Sequence, residues 1–353
     1  MKRYRVDIFD RKFNFKALAQ TAEPKLITDA LVQSSSTFRT PKELSVSRGD
    51  YCQIRSEDNV IFQGIITDYS YDGKTSEVTL AQMNKLLDAE VFADISGLIN
   101  GVEPWMTARL QEVYAGSDES AALTGLAITS TTTTPGQYDL NDQNIYNLYD
   151  MSVHFFKIYG IVIDVSFDAS AKQVLINFRN INRNDIWKIE TKLADVADYS
   201  VNSPYNMDYP NKMIVRDSED PTQELTYYWH PTEFSGTVDT DGTANRVLPV
   251  VTRCETVQPE EGQTFQEAAY IAAVNAMYQS RYDDQIEITF NADSKLVQVG
   301  QVGQLYSIID RGKTYNTVLT GCQRLNDKYT LMTFGYVRKR LTQILQQERR
   351  KTQ

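Results

Sequence analysis

The stretch from Val297 to Leu345 restricts the fold more than any other part of the chain. A turn containing Gly300 and Gly303 leads into three runs in which apolar and polar residues alternate, a pattern typical of antiparallel strands. The three predicted strands are Leu305–Ile309, Thr314–Thr320 and Tyr329–Phe334. After Gly335 the apolar residues take a helical spacing, so the segment predicts a small sheet followed by a helix.

A second segment with the same order of elements lies near the start of the chain. Gly49–Cys52 aligns with Gly303–Tyr306, and after a gap of one residue Val60–Gly64 aligns with Lys313–Thr317. Both copies contain a glycine turn, a strand, a charged turn, a second strand, a polar turn, a third strand and an apolar helical start. Few residues are identical, but the shared order predicts two related small β-barrels, one opening and one closing the chain.

Length and composition describe a folded protein with more than one domain. The 353 residues suffice for two to four domains, each with its own core, and 41% of them are hydrophobic. No apolar run approaches the roughly 20 residues of a membrane-spanning helix, and no apolar signal core follows the basic N-terminus. Cys52, Cys254 and Cys322 are far apart and odd in number. They indicate reduced thiols in a protein made in a cytoplasm.

The sequence predicts a multidomain α+β protein in which two small β-barrels carry inserted α+β domains. The hairpin expected from Asn211–Arg216 and Glu224–His230 is assigned to the start of the second barrel. The predicted units are residues 1–90 (first β-barrel), 91–200 (inserted α+β domain), 201–238 with 286–337 (second β-barrel), 239–285 (inserted strand–helix domain) and 338–353 (basic C-terminal helix).

Three helices have local signals in the sequence. Pro104 occupies a first-turn position, where its missing N–H costs nothing, and predicts a helix that ends near Gly116. A second helix is predicted over Asn144–Tyr159, with Gly160 as its C-terminal cap. The segment Thr264–Glu267 has the form of a capping box, which predicts the start of the third helix.

Charge is distributed unevenly along the chain. The formal net charge is −10, but residues 338–353 contain six basic side chains and one acid, Glu348, a local charge of +5. Residues 1–337 therefore hold 30 Lys and Arg against 45 Asp and Glu, a charge of −15. Such an acidic body repels nucleic acid and argues against specific DNA binding. The basic end is either a partner-docking helix or a solvated terminus.

The residues that most often carry catalysis or metal binding do not form a recognisable constellation. His154 and His230 fall in separate predicted units and are interpreted as structural histidines. Asp239, Asp241 and Gly242 resemble part of a calcium loop, but the third ligand and the distal Glu are missing, so a polar turn is predicted. We therefore predict no catalytic, cofactor-binding or metal-binding residue.

Two other sets of residues leave alternatives open. The acid pairs Glu219/Asp220 and Glu260/Glu261 suggest a glycosidase, yet both lie in turn-like segments where burial cannot raise one pKa above the other. The aromatic strand containing Tyr227, Tyr228 and Trp229 suggests a sugar-stacking platform, with Tyr209 as a further candidate, although cross-strand packing is the commoner use.

Several segments together resemble the tail-hub proteins of long-tailed phages, which form the N-terminal hub module of tail-associated lysins and are related to the hubs of contractile baseplates and type VI secretion spikes. The segments are Asn211–Val215, Glu219–Thr222, Thr226–Trp229, Pro259–Phe265, Val302–Leu305, Gly312–Asn316 and Thr333–Gly335. The resemblance covers essentially the whole chain. It implies two barrels related by duplication, with α+β domains inserted between their strands.

The resemblance also implies a role. Three copies are expected to place six barrels in a ring around the tail channel at the virion tail tip, through which DNA passes without specific binding. The implied partners are the distal tail protein, the tail tube, the tape-measure protein and a downstream spike or lysin. Many members continue into a peptidoglycan hydrolase or fibre, whereas this chain stops at Gln353, so lytic activity is expected elsewhere. The alternatives are a cell-wall-degrading enzyme and a carbohydrate-binding adhesin.

The charge distribution adds one expectation about the channel. Inward Lys or Arg side chains would contact phosphates and slow the passage of DNA, whereas an acidic wall would repel the backbone. We therefore expect the channel wall to be acidic or neutral. Arg338, Arg340 and Arg349 are expected to lie away from its narrowest opening. The apolar side of their helix, which is expected to dock on a partner, contains Leu341, Ile344 and Leu345.

Overall fold

The computed structural model of the chain describes residues 3–22, 24–116, 122–138, 143–202, 209–232, 236–243, 250–259, 262–278, 281–282, 284–292 and 294–336. This part of the protein is mostly β-sheet with few helices, arranged as several sheets. The helices are α1 (Val102–Tyr114), α2 (Leu148–Tyr159), α3 (Phe265–Met277) and the short α4 (Lys295–Val299), with 3₁₀ turns at Met83–Leu87 and Ser96–Asn100. Over the described ranges, no helix is long and apolar enough to cross a membrane.

Six antiparallel strands near the start of the chain form what we call the first curled sheet. They are β1 (Tyr4–Phe9), β2 (Phe15–Thr21), β4 (Ser35–Thr40), β5 (Tyr51–Ser56), β6 (Asn59–Tyr71) and β7 (Ser76–Gln82), in the order β2-β1-β5-β6-β7-β4. Alternate residues of all six strands enter one core, which includes Val6, Phe38 and Ile54. Lys42 Nζ donates to the Leu18 carbonyl at 3.2 Å, so the loop after β4 approaches β2 and the sheet curls.

The segment after β7 contains a ribbon, a small sheet and two helices. Its strands are β8 (Glu90–Phe92), β9 (Ala127–Ser130), β10 (Ile145–Asn147), β11 (Ile161–Asp168) and β12 (Gln173–Asn180). β8 pairs with β10, and the other three form a sheet in the order β11-β12-β9. The predicted helix over Asn144–Tyr159 begins only at Leu148, because Ile145–Asn147 pairs as a strand. Gly160 caps this helix in the left-handed conformation, as predicted.

Glu103 fixes the Ser/Thr-rich segment of residues 129–134, and this role has no signal in the sequence. It lies in the first turn of α1 and is fully buried. Its carboxylate accepts hydrogen bonds from Thr132 Oγ1 at 2.8 Å and from the Thr134 N–H and Oγ1 at 2.7 and 2.8 Å. Burial of this carboxylate is tolerated because its oxygens are hydrogen-bonded and face the N-terminal end of a helix.

The second curled sheet draws its strands from distant parts of the chain. They are β13 (Asn182–Glu190), β14 (Val196–Asn202), β19 (Gln285–Asn291), β20 (Gln304–Asp310), β21 (Lys313–Arg324) and β22 (Tyr329–Phe334). Their order is β13-β20-β21-β22-β19-β14. The three predicted strands at the end of the chain are confirmed as β20, β21 and β22. The prediction that residues 91–200 form one inserted unit is wrong at its end, because β13 and β14 pair with β20 and β19.

The remaining strands correct the predicted composition of the second barrel. β15 (Lys212–Asp217), β16 (Glu224–Pro231), β17 (Gly236–Asp239) and β18 (Thr252–Val257) form a separate sheet in the order β17-β16-β15-β18. The expected hairpin of β15 and β16 exists, but it does not join the second curled sheet. β18 pairs with β15 in parallel, and α3 covers the apolar face of the sheet, so the hairpin packs within its own layer. The predicted capping box of Thr264 and Glu267 begins α3.

Candidate functional site

The inner three strands of the two curled sheets have the same hydrogen-bond register. Gly49 donates from its N–H to the Ile66 carbonyl, and Gly303 donates in the same way to Leu319, both at 2.8 Å. The residue pairs that follow correspond one to one. They are Tyr51↔Ile65 with Leu305↔Val318, Cys52↔Gly64 with Tyr306↔Thr317, and Ile66↔Leu80 with Leu319↔Phe334.

Both long strands also carry an irregularity at the same place. The register shifts after Ile66 in β6 and after Leu319 in β21. The threonine at this step donates from Oγ1 to a carbonyl of the next strand in each copy: Thr67 to Thr79 at 3.2 Å, and Thr320 to Thr333 at 3.1 Å. Such a bulge bends a strand and increases its twist, which favours a curled sheet.

The aligned segments differ at the first hairpin. In the first sheet Val60 pairs with Arg55, and the register shifts between that pair and the next. In the second sheet Thr314 pairs with Ile309 without a shift. The predicted match of Val60 with Lys313 is therefore one residue out of step, whereas the match holds from Phe62 onwards.

A short strand from the N-terminal part of the chain and one arginine side chain link the two curled sheets. β3 (Leu26–Asp29) follows β2 in the chain, yet pairs antiparallel with the end of β21. The Asp29 N–H donates to Gln82 Oε1 at 2.7 Å and so ties β3 back to β7. Arg324 adds a second link, because its Nη2 donates to the Tyr4 hydroxyl at 2.6 Å and its guanidinium lies 4.8 Å from the centre of that ring.

A groove of about 1040 Å³ lies at this junction, and we call it the junction groove. The end of β21, the β5–β6 turn, the 3₁₀ turn at Met83–Leu87, the loop around Gln301 and β11 line it. Six consecutive residues of β11, 161–166, take part. Its charged residues include Asp164, which is paired with Arg179 at 2.5 Å. This groove has no signal in the sequence, because its walls come from segments more than 100 residues apart.

The two histidines lie in different parts of the fold. His154 lies on α2 in an aromatic cluster, 4.9 Å from the ring centre of Tyr138. His230 is buried at the end of β16, with Nε2 3.0 Å from Asp239 Oδ1. Asp241 accepts from the N–H and hydroxyl of Thr243, which makes the Asp239–Asp241 segment a polar turn. Across the described residues, no group of three or more His, Cys, Asp or Glu side chains is placed to hold a metal ion.

The acid pair of the β15–β16 turn is not arranged for acid catalysis. Hydrogen bonds from Thr222 and Gln223 lower the pKa of Asp220 and keep its carboxyl ionised. A glycosidase acid needs the opposite shift, since it must hold its proton near neutral pH. Glu219 accepts from Gln258 Nε2 at 3.1 Å. Glu260 and Glu261 lie outside the described residues, as do Arg338, Arg340, Arg349 and the rest of the predicted basic helix.

The aromatic residues proposed as a sugar platform are mostly covered. Tyr227 and Trp229 are each 3% exposed and pack beneath α3. Tyr228 points to the opposite face, where Lys212 Nζ lies 5.9 Å from its ring centre. Tyr209 is half-buried. A stacking surface made of Tyr227 and Trp229 is therefore not available to a sugar in this fold.

The cysteines differ in exposure and do not form a disulfide. Cys52 is buried in the first curled sheet, Cys322 is half-buried in the second, and Cys254 is exposed on β18. Burial raises the pKa of the Cys322 thiol to about 11. Burial also raises the pKa of Cys52.

The fold is similar to those of solved phage tail proteins. A tail protein from Neisseria meningitidis MC58 matches with a TM-score of 0.55 at 10% identity, covering 95% of this chain and 97% of that chain. The 43 kDa tail protein of prophage MuSo2 from Shewanella oneidensis matches with a TM-score of 0.55 at 12% identity, covering 94% and 98%. A chain of the phage P2 baseplate, in its activated conformation with Ca, matches with a TM-score of 0.50 at 14% identity, covering 95% and 98%.

No family model matches the chain, and no curated protein is significantly similar to it in sequence. The likeness to tail and baseplate proteins therefore rests on the fold, and it spans nearly all of the chain. The resemblance to phage tail-hub proteins that the sequence indicated is confirmed at the level of the fold.

Proposed function

We propose that the protein is a structural hub of a phage or prophage tail tip. The observation that carries this proposal is the fold itself, shared along 94% or more of the chain with tail proteins and with a baseplate chain. A likeness of this extent leaves only about 6% of the chain or less unmatched. The protein would then act at the tail tip of the virion, after synthesis in the cytoplasm of the bacterial host.

The two curled sheets are, in this proposal, barrels related by duplication. The matched registers support this proposal. Two unrelated sheets are not expected to share a bulge, a glycine turn and a threonine hydrogen bond at equivalent positions. The remaining units would be insertions: about residues 83–181 between the barrels, and 203–284 within the second barrel. This division replaces the one drawn from the sequence and stays a prediction.

Three copies would form a ring in which six barrels surround a channel for DNA. β14 is an edge strand of the second sheet, and β2 is an edge strand of the first. Closed cyclic symmetry would cover such edges, which otherwise invite uncontrolled strand addition. The proposed neighbours are the tail tube, the distal tail protein, the tape-measure protein and a downstream spike or lysin. The charge of −15 over residues 1–337 is compatible with an acidic or neutral channel wall.

The proposed role is structural, not enzymatic. The ionised Asp220 and the buried Tyr227 and Trp229 argue against the glycosidase and adhesin alternatives in the form that the sequence suggested. A zymogram on purified cell walls tests the enzyme alternative. Clearing that depends on Asp220 or another carboxylate of this chain would overturn the structural role.

The role is tested in the phage or lysogen that carries the gene. Deleting the gene is expected to give particles without a functional tail tip, and a plasmid copy is expected to restore infectivity. Gold-labelled antibody against the chain should mark the tip of the tail. Complete, infectious tails in the deletion strain, or labelling of the capsid alone, would contradict the proposal.

A further inference from the structure

β11 has a free edge, and the alternation of main-chain groups along it can be established at Phe167. In an antiparallel pair, residues whose N–H and C=O groups bond across the pair alternate with residues whose groups point away. Phe167 is of the second kind, because both of its groups bond to the side chain of Gln63. Its N–H donates to Gln63 Oε1 at 3.0 Å, and Gln63 Nε2 donates to its carbonyl at 2.8 Å.

By the same alternation, the main-chain N–H and C=O groups of Ile163 and Val165 point in the same direction as those of Phe167. The register of β11 with β12 has no shift, so residues two apart are equivalent. Phe178, opposite Ile163, gives an independent check, because its carbonyl accepts from the Thr131 N–H at 3.5 Å on the β9 side. The N–H and C=O groups of Ile163 and Val165 therefore point away from β12. Among the described residues, none forms a hydrogen bond to them.

These groups face the junction groove, which residues 161–166 line in unbroken succession. Its volume of about 1040 Å³ is at the upper end of the range for ligand pockets. Two further polar atoms in its wall are buried and lack a hydrogen-bond partner, Thr330 Oγ1 and Asn84 Oδ1. Thr330 is 2% exposed, so water reaches it poorly.

We propose that the junction groove binds an extended segment of another protein chain, which joins the sheet as a strand beside β11. Main-chain groups repeat every two residues on one edge of a strand, which is the spacing that Ile163 and Val165 present. Such strand addition gains its affinity from main-chain hydrogen bonds. Gln63 already pairs with Phe167 as a strand would, and so marks the end of the site.

The walls of the groove define the chemistry of the added strand. On one side of β11 the side chains of Ile161 and Ile163 belong to a cluster with Met83 and Leu87. Residues of the partner on that side are expected to be apolar. On the other side lies Asp164, whose side chain is 46% exposed and already paired with Arg179, so a polar residue such as threonine or lysine is expected opposite this pair. The site goes beyond the hub function and does not depend on ring formation.

Amide hydrogen exchange of the full chain tests the site with a defined probe. The probe is an acetylated octapeptide that alternates valine with lysine or threonine, and its control is the same peptide with alternate valines N-methylated. The probe is expected to slow exchange at Ile163 and Val165 at least tenfold, and the control is expected to have no effect. Equal effects of the two peptides, or no slowing at millimolar probe, would overturn the proposal. Slow exchange at both amides in the chain alone would do the same, because the chain would then cover its own edge.

Two variants separate main-chain from side-chain recognition. Val165→Pro removes an outward N–H that β12 does not use, and proline is tolerated at such edge positions. It is expected to weaken probe binding at least tenfold, whereas Ser166→Ala is expected to change it less than threefold. Retained affinity in Val165→Pro would contradict the proposal. If circular dichroism shows that this variant does not fold, the N-methylated peptide decides the matter. If the hub proposal were contradicted in the assembled particle, both measurements on the isolated chain would still test the junction groove.

Discussion

The two curled sheets agree in their inner three strands and differ in the strands that flank them. In the first sheet β1 pairs antiparallel with β5, and the outer strand β2 follows β1 directly. In the second sheet β13 pairs in parallel with β20, and the outer strand β14 lies on the opposite side, next to β19. The inner three strands are thus a repeated unit. Which strands flank them depends on the path of the chain segments that connect them.

The difference separates local from non-local causes. Short turns join the inner strands, and a turn's length and glycine positions fix the register of the strands that it joins. A parallel neighbour such as β13 needs a long connection, since it cannot be joined to β20 by a hairpin. Here more than 100 residues separate them in the chain. The repeated unit should therefore respond similarly to matched mutations, except where its surroundings differ.

The largest expected contrast is between Gly303→Ala and Gly49→Ala. Both glycines have a left-handed φ, +84° and +89°, so each alanine costs about 1–2 kcal/mol in backbone strain. A Cβ at Gly303 would lie 2.5 Å from Val162 Cγ2, whereas at Gly49 the nearest atoms belong to the flexible side chain of Arg11. We expect losses of about 3 and about 1.5 kcal/mol, given the added cost of overpacking. Hydrogen exchange of amides in each sheet measures both losses, and a larger loss at Gly49 would contradict the interpretation.

A second contrast concerns the link between the sheets. Arg324 and Tyr71 occupy equivalent places at the ends of β21 and β6, opposite Thr330 and Ser76. Arg324→Met removes the hydrogen bond and the cation–π contact to Tyr4, and is expected to cost about 2 kcal/mol. Tyr71 is 40% exposed, so Tyr71→Met is expected to cost about 0.5 kcal/mol or less. Urea titration followed by near-ultraviolet circular dichroism compares the variants, and equal midpoints would argue against a role for Arg324 in joining the sheets.

The bulge threonines give a smaller contrast. Thr320 is fully buried, and its Oγ1 lies within hydrogen-bond distance of the Thr333 and Gly335 carbonyls, at 3.1 and 3.0 Å. Thr67 is half-buried and has one such carbonyl, at 3.2 Å. Replacement by valine is expected to cost about 1.5 kcal/mol at Thr320 and about 0.5 kcal/mol at Thr67. Thermal unfolding of both variants beside the wild type measures the losses, and a reversed order would show that the two bulges are held by different forces.

The smallest effect is the pH dependence of the second sheet. Burial raises the pKa of Cys322 from its ordinary value near 9 to about 11, so the folded state holds a proton that the unfolded state loses. This contribution to stability is complete below pH 9 and is lost as the pH rises towards 11. In a Cys254→Ser background, Cys322→Ala should reduce the loss of stability between pH 9 and 11, as seen in urea midpoints. An identical pH profile with and without the Cys322 thiol would contradict this assignment.

The sequence predicts the repeated unit because its signals are local. Gly303, the polar turn at Asn326–Lys328 and the alternation between them are adjacent in the chain, and the capping box at Thr264 is equally local. The hairpin of Lys212–Asp217 and Glu224–Pro231 was also recognisable, but its sheet was not. Nothing in its residues reveals that β18 and α3 cover it, and period-two patterns look alike in any sheet.

The junction groove was beyond prediction for the same reason. Its walls unite β11 with the β5–β6 turn and the end of β21, and the pairing of Gln63 with Phe167 spans 104 residues. Side-chain amides of this kind leave no periodic signature. The buried Glu103 carboxylate is similar, since its partners Thr132 and Thr134 belong to a Ser/Thr-rich loop that reads as unstructured.

The most direct test of the hub proposal is the arrangement of the curled sheets in the assembled protein. Electron cryomicroscopy of the purified full chain, with mass photometry on the same sample, would show it. The proposal predicts particles of about 121 kDa, three times the 40.2 kDa chain. In these particles three first and three second curled sheets should alternate around a central opening. Monomers at every concentration, or an oligomer whose sheets do not alternate around one axis, would contradict it.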